Sequence, residues 1–167
     1  MNHKGFTLTE ILTAVVIVSI LTVMSVPLYE KTVERSRLAE ARTIMNRLQE
    51  AKWAAMDNMG CETYSKTNNK CPQMGHLNVA FVKNARKYTF ETKDFVYTLK
   101  STTYPNGICA KRKTGDYKDT IFAYYGLRRD GADAEFKCKN PTDCTDCCDS
   151  YGVDVKSNLQ CDFTTDD

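Results

Sequence analysis

Residues 6–28 read FTLTEILTAVVIVSILTVMSVPL, an apolar run in which Glu10 is the only charged side chain. As a helix this run is about 35 Å long, enough to cross a hydrocarbon core about 30 Å thick. A secretory signal peptide has a shorter apolar region followed by a small-residue cleavage site, and no such site follows here. A buried core helix is the other alternative, but so apolar a helix is hard to bury in 167 residues. The run therefore predicts a membrane span.

Glu10 is not explained by a simple membrane anchor. An ionised carboxylate in hydrocarbon costs about 3 kcal/mol or more, so it indicates a functional group with a partner. The alternative is that Glu10 lies close enough to the end of the span to reach the lipid headgroups. A cut between Gly5 and Phe6 would supply a partner, because the new α-amino group would lie within about one helical turn of Glu10.

The string KGFTLTE at residues 4–10, followed directly by the apolar run, resembles the class III signal of type IV pilins and of the pseudopilins of secretion systems. The resemblance implies that a membrane prepilin peptidase cuts after Gly5 and that the new N-terminal residue, Phe6, is methylated. It also implies that Glu10 pairs with the Phe6 amine of an adjacent subunit during assembly. Pro27 matches a helix-kinking proline of many family members, and the short leader, residues 1–5, is similar to the type IVa and pseudopilin branch.

The resemblance covers about residues 1–55 and implies partners and a location. The partners are further pilin subunits in a homopolymer, the peptidase, the inner-membrane pilus assembly machinery, and membrane lipid before assembly. Lys4 and the amino terminus precede the span without an acidic residue, which favours a cytoplasmic N-terminus. We therefore expect the chain in the bacterial inner membrane with its head outside, and afterwards in an extracellular pilus.

After the span, residues 29–59 change to an amphipathic pattern, so the sequence predicts one continuous helix from about Phe6 to Asn58 with Gly60 as its stop. Pro27 is expected to bend or loosen this helix, with a passive kink as the alternative. The predicted buried face contains Leu38, Ala41, Ile44, Met45, Leu48, Ala51, Ala55 and Met59. The predicted solvent face contains Glu34, Arg35, Arg37, Glu40, Arg42, Arg47 and Glu50.

Residues 60–167 predict a β-rich head, which makes the fold α+β. Aromatic and β-branched runs at 86–92, 95–103, 108–113 and 120–127 predict about four antiparallel strands packed on the amphipathic half of the helix. A short further strand is possible at 134–138. Pro105-Asn106-Gly107, Thr114-Gly115-Asp116 and Asp130-Gly131 are the turn signals between these runs.

Eight cysteines in so short a chain indicate an oxidising compartment and a disulfide-stapled head. A zinc knuckle or a redox pair at Cys144-x-x-Cys147-Cys148 is the alternative. In the pilin family a disulfide often ties the C-terminal region to the sheet, and Cys161 resembles its C-terminal member. Eight cysteines allow 105 connectivities, so the pairing stays open. The candidates are Cys61, Cys71, Cys109, Cys138, Cys144, Cys147, Cys148 and Cys161.

No cofactor is predicted, although zinc at the cysteines or calcium at Asp143, Asp146, Asp149 and Asp154 is possible by ligand type. A basic stretch with interleaved tyrosines could bind DNA. We favour the alternative that it is a solvated face whose charge meets the acidic C-terminal segment of its own or a neighbouring subunit. Its cations are Lys83, Arg86, Lys87, Lys93, Lys100, Lys111, Arg112, Lys113, Lys118, Arg128 and Arg129.

An enzyme is not expected, because His76 is the only histidine outside the extreme N-terminus and no nucleophile constellation accompanies it. A net charge of +2 is too small to indicate a globally nucleic-acid-binding protein. We expect a structural subunit of a type IV pilus. A minor pilin or type II secretion pseudopilin is the first alternative, disfavoured because no Tyr-Pro-Thr segment follows the long helix. A membrane-anchored, cysteine-rich redox or zinc protein is the second.

Overall fold

The computed structural model describes residues 5–61, 73–80, 82, 85–100, 107–125 and 134–164. Along the chain lie α1 (Leu8–Met59), a 3-10 turn (Met74–His76), β1 (Thr89–Glu91), β2 (Phe95–Thr98), β3 (Ile108–Arg112), β4 (Ile121–Tyr125), β5 (Glu135–Lys139) and α2 (Cys147–Tyr151). Leader residues 1–4, Cys71, Lys83, Arg128, Arg129 and the turn signals at 105–106 and 130–131 lie outside the described residues.

The long helix predicted from the sequence is confirmed as α1. Thr7 sets its start, with an extended backbone and a side chain that accepts the Glu10 N–H. Gly60 ends it in the left-handed region at a φ of 66°, a conformation that glycine adopts without steric cost. The helix continues through Pro27, which lacks the N–H for one backbone hydrogen bond.

The sheet is an antiparallel meander in the order β1-β2-β3-β4-β5, so each strand pairs with its neighbours in sequence. The α+β architecture expected from the sequence is thereby confirmed. The run at 134–138, a possible strand by sequence, forms β5 and brings the number of strands to five.

The two faces of the sheet are covered by different parts of the chain. Cross-strand partners Phe90, Tyr97, Ala110, Phe122 and Cys138 share the face that packs against the second half of α1. Cys109 and Ala123 lie on the opposite face, where Leu159 and the C-terminal segment pack. The head is therefore three layers thick, with α1 on one side and the C-terminal segment on the other.

Two assignments on α1 are wrong. Met59 was placed on the buried face but is 38% exposed, because the helix ends there and the head no longer covers it. Glu34 was placed on the solvent face but is only 8% exposed, because a buried arginine of the sheet lies opposite it. The basic stretch was likewise expected to face solvent throughout, but Lys100 and Arg112 are buried.

Three disulfides join six of the described cysteines. Cys109–Cys161 holds the C-terminal segment on β3, across a sequence separation of 52 residues. Cys138–Cys148 holds α2 beside β5, and Cys144–Cys147 closes a turn just before α2, across a separation of 3 residues. Cys61 is buried just after the end of α1.

We expect the Cys109–Cys161 bridge to contribute more stability than Cys144–Cys147, because the stabilisation by a cross-link increases with the logarithm of the number of residues in the loop that it closes. Replacing Cys109 and Cys161 by alanine should lower the free energy of unfolding by about 4 kcal/mol, and the Cys144 and Cys147 control pair by about 2 kcal/mol or less. Urea unfolding of the full-length protein in detergent, followed by the fluorescence of Trp53, measures both. Equal losses would contradict this ranking.

Candidate functional site

The first half of α1 is bare, in the sense that no other described part of the chain covers it. Every residue from 6 to 32 is exposed, and the first buried side chain on the helix is Glu34. We call residues 6–32 the stem and the remaining described residues the head. At 1.5 Å per residue the stem is about 40 Å long.

The bare surface of the stem is apolar. Its large apolar side chains are between 48% and 82% exposed, from Val26 to Phe6. By length and composition this helix can cross a membrane. Contiguous apolar surface of this size is not tolerated on a monomer in water, so lipid or protein must cover it.

The hydroxyl groups of the stem are satisfied within the helix. Five serine and threonine hydroxyls donate to the carbonyl oxygen four residues earlier, at 2.7 to 2.9 Å: Thr13, Ser19, Thr22, Ser25 and Thr32. These hydroxyls therefore need no hydrogen bond from water, which suits a helix in lipid or in a packed bundle.

The extreme end of the stem presents the predicted processing residues. Gly5 and Phe6 precede the helix, both are exposed, and Thr7 next to them is extended. The Gly5–Phe6 peptide bond therefore lies outside the helical hydrogen bonds, in the exposed terminal segment where proteolysis is favoured.

Glu10 completes a capping box with Thr7. The Thr7 N–H and the Thr7 hydroxyl both donate to Glu10 Oε2 at 2.8 Å, and the Glu10 N–H donates back to Thr7 Oγ1 at 3.3 Å. The carboxylate thus has local hydrogen bonds at the start of the helix, where a negative charge also interacts favourably with the helix dipole.

A buried cluster holds the head at the base of the stem. Arg112 at the end of β3 donates to both carboxylate oxygens of Glu34, at 3.1 Å from Nε and 3.0 Å from Nη2. Its Nη1 lies 2.9 Å from Oδ1 of Asp94, and Tyr151 of α2 donates to Glu34 at 2.8 Å. Arg37, one turn along α1, also donates to Glu34. We call these five residues the junction cluster; it joins α1, β3 and α2.

The charges of the junction cluster stabilise one another. Burial alone would raise the pKa of Glu34, but the hydrogen bonds from Arg112, Tyr151 and Arg37 and the Arg112 charge outweigh it, so the pKa lies below its ordinary value. Burial and the hydrogen bond to Glu34 raise the pKa of Tyr151, which therefore stays protonated as a donor. Glu34 and Arg112 therefore form an ionised pair that hydrogen bonds hold in place.

Sequence reasoning missed this cluster although a signal was present. Ile108, Ala110 and Arg112 alternate along β3, and all three are buried on the face that meets α1. A strand's alternation places residues two apart on one face, so Arg112 had to point at the helix. A buried arginine requires an acid opposite it, and Glu34 is that acid.

The zinc alternative at the C-terminal cysteines is wrong. Cys144, Cys147 and Cys148 all form disulfides, so their sulfurs are not thiolate ligands. The redox alternative requires the first sulfur of the pair at a helix N-terminus, but α2 begins at Cys147 rather than Cys144. In the described ranges no group of three histidine, cysteine or acidic side chains is placed to hold a metal ion.

Part of the basic stretch is used inside the head. Lys100 lies 3.8 Å from Asp162 and 4.5 Å from the ring of Tyr88, so here the sheet does meet the acidic C-terminal segment of its own chain. Lys113 pairs with Glu91 at 2.8 Å. His76 is exposed, and its Nδ1 accepts the Gln73 N–H within the 3-10 turn.

Comparison with known proteins identifies the N-terminal part. Residues 1–26 match the family model described as the prokaryotic N-terminal methylation motif, which is the class III signal of type IV pilins and pseudopilins. The resemblance seen in the sequence is therefore confirmed for the leader and most of the stem. No curated protein and no solved structure matches the chain.

We expect the junction cluster to make head stability depend on pH. Because the pKa of Glu34 is below its ordinary 4.5 in the folded protein, its stabilisation is complete above pH 4.5 and is lost as the pH falls through the lowered value. Glu34→Gln should lower the free energy of unfolding at pH 7 by roughly 3 kcal/mol. Urea unfolding in a pH series from 7 downward measures both effects.

The exposed Glu40→Gln, on the same helix, is the matched control and should change little across the pH series. The difference between wild type and Glu34→Gln should shrink as the pH falls through the lowered pKa of Glu34, because the wild-type carboxylate then becomes protonated. A difference of equal size at every pH down to the acid unfolding of the head would show that the charge of Glu34 does not hold the head.

Proposed function

We propose that the chain is a structural subunit of a type IV pilus, made as a membrane-anchored precursor and assembled through its stem. The observation that carries this proposal is the bare apolar stem, which bears the methylation motif at its tip and leads directly into a folded head. An apolar helix of about 40 Å suits both a bilayer and the axis of a helical filament.

Processing would convert the precursor into the assembling form. A prepilin peptidase in the membrane would hydrolyse the exposed Gly5–Phe6 bond, and methylation of the new Phe6 amine would follow. The cut removes the leader and leaves a cationic amine one residue before Thr7. That amine supplies the positive charge that Glu10 lacks within the described stem.

Glu10 would then guide assembly. Among the described residues its carboxylate is bonded to the neutral Thr7 groups and to no cation, so it carries an uncompensated negative charge into an apolar setting. A methylated Phe6 amine from an adjacent subunit would neutralise it. The apolar side chains supply the driving force for burial, and the charge pair would fix the axial position of one stem against the next.

The head would form the outer surface of the filament. The three disulfides among its described residues suit an oxidising environment outside the cytoplasm. The junction cluster fixes the head on α1, so a force on the head passes to the stem through buried ion pairs.

A minor pilin or a secretion pseudopilin is the alternative, because both carry the same N-terminal signal. The choice depends on copy number. Immunogold labelling of surface filaments with antibody to the head should be dense along their length for a major subunit. Sparse labelling, or secretion without long filaments, would favour the alternative.

The first test concerns processing. Mass spectrometry of the mature protein should find an N-terminal peptide that begins at Phe6 and carries one added methyl group. In a strain lacking the prepilin peptidase the same protein should begin at Met1 and stay in the membrane. A mature protein that keeps residues 1–5, or that is cut near Pro27, would contradict the proposal.

The second test concerns Glu10. Glu10→Ala should leave the protein in the membrane and processed at Phe6, but reduce sheared filament by at least about tenfold, because the charge pair that positions neighbouring stems is lost. Glu30→Ala, a change of the same kind just beyond the apolar run, is the control and should assemble. Normal filaments from Glu10→Ala would show that the carboxylate has no part in assembly.

A further inference from the structure

The β1 edge of the sheet carries exposed positive charge. Arg86 and Lys87 precede β1 and Lys93 follows it, and all three side chains are exposed. Within the part of the chain that the structure describes, none of the three forms an ion pair. Glu91, the carboxylate on this strand, is already bonded to Lys113 at 2.8 Å. We call Arg86, Lys87 and Lys93 the basic edge.

The segment at the start of α2 carries exposed negative charge. Asp143, Asp146 and Asp149 lie in the turn before α2 and in its first turn, and all three are exposed. Asp154 nearby is paired with Lys137 at 3.1 Å, whereas in the described ranges these three carboxylates form no ion pair. We call Asp143, Asp146 and Asp149 the acidic corner. The Cys138–Cys148 disulfide fixes it beside β5.

The two charged surfaces do not pair with each other in the described part of one subunit. The basic edge flanks β1, an outer strand of the sheet, and the acidic corner is tied by a disulfide to β5, the other outer strand. An ion pair needs about 4 Å between its charged atoms, and in the described ranges none joins the two surfaces. Lys100, Arg112 and Lys113, by contrast, are paired within the head.

We propose that the basic edge of one head binds the acidic corner of a second copy of this chain in the filament. The inference rests on the proposed function and adds the surface by which neighbouring heads meet. Because the two surfaces differ, each head uses both at once, one toward each neighbour. Such a head-to-tail contact does not close on itself when the subunits are related by a helical rotation and rise, so it suits a filament.

This contact between heads would set their relative position rather than drive assembly. Exposed ion pairs are individually weak and are screened within about 10 Å at ordinary salt, so they do not drive assembly. Complementary charges instead select the register in which two heads approach. They also disfavour a contact between two basic edges or between two acidic corners, because like charges repel. The cations of the basic edge also discourage β1 from pairing with the edge of another sheet.

The first test joins the paired groups covalently. Purified filaments from a mixture of unlabelled and isotope-labelled full-length protein are treated with a carbodiimide, which links an amine to a carboxylate without a spacer. We expect mixed-label cross-links between Lys87 or Lys93 and the acidic corner. Filaments in which these lysines link only to other carboxylates, or to none, would overturn the proposal.

The second test exchanges the charges. Lys87→Glu/Lys93→Glu and Asp143→Lys/Asp146→Lys should each reduce sheared filament about tenfold, and the combined four-residue variant should recover to within about twofold of wild type. Lys118→Glu, an exposed change in the β3–β4 turn between central strands, is the control and should assemble normally. Protease resistance and a full set of disulfides establish that each variant is folded.

The outcomes separate this proposal from the function on which it rests. Absence of filaments and of Phe6 processing in the wild type would overturn both. Wild-type filaments with either charge-reversed variant assembling normally, or with no recovery in the combined variant, would overturn the interface alone. So would a Lys87→Glu/Lys93→Glu variant that assembles normally but loses binding of filaments to DNA, since the basic edge would then be a DNA surface.

Discussion

An apolar helix that its own chain leaves uncovered is the constraint on which the rest of this structure depends. The stem exposes large apolar side chains over about 40 Å, and the head covers only the half of α1 that follows residue 32. Such a surface is stable in lipid or against other copies of itself, but not in water. Membrane insertion and the proposed polymerisation would thus place the same demand on the same residues, and serine and threonine hydroxyls of the stem meet it by bonding to their own helix.

The head packs on only the second half of α1. A buried ion pair fixes the helix to the head at the point where the stem begins. Apolar contacts alone allow α1 to shift along the sheet. The two hydrogen bonds from Arg112 to Glu34 are satisfied at only one position of the helix. Tyr151 brings α2 to the same carboxylate, and a disulfide holds α2 on β5. The orientation of the stem relative to the head is thereby fixed by buried polar geometry rather than by apolar packing alone.

Periodicity predicted most of the fold. The apolar run and the three-and-four spacing gave α1, Gly60 gave its end, and the runs separated by turn residues gave the meander. The errors concern which charged residues lie inside. Glu34 and Arg37 have the spacing of an ordinary solvent-exposed pair, and only the tertiary position of Arg112 makes Glu34 a buried partner. Cysteine pairing also depends on distances across the sheet, such as Cys109 to Cys161, that spacing along the chain does not encode.

Methionine oxidation tests most directly whether the stem is buried in an assembled filament. Met24 on the stem is 70% exposed in the single subunit and Met59 at the end of α1 is 38% exposed, whereas Met45 is fully buried in the head. Sheared, detergent-free filaments treated with hydrogen peroxide are analysed by mass spectrometry for sulfoxide at each position. We predict that Met24 is protected as strongly as Met45 while Met59 reacts. Oxidation of Met24 as fast as Met59 would contradict it.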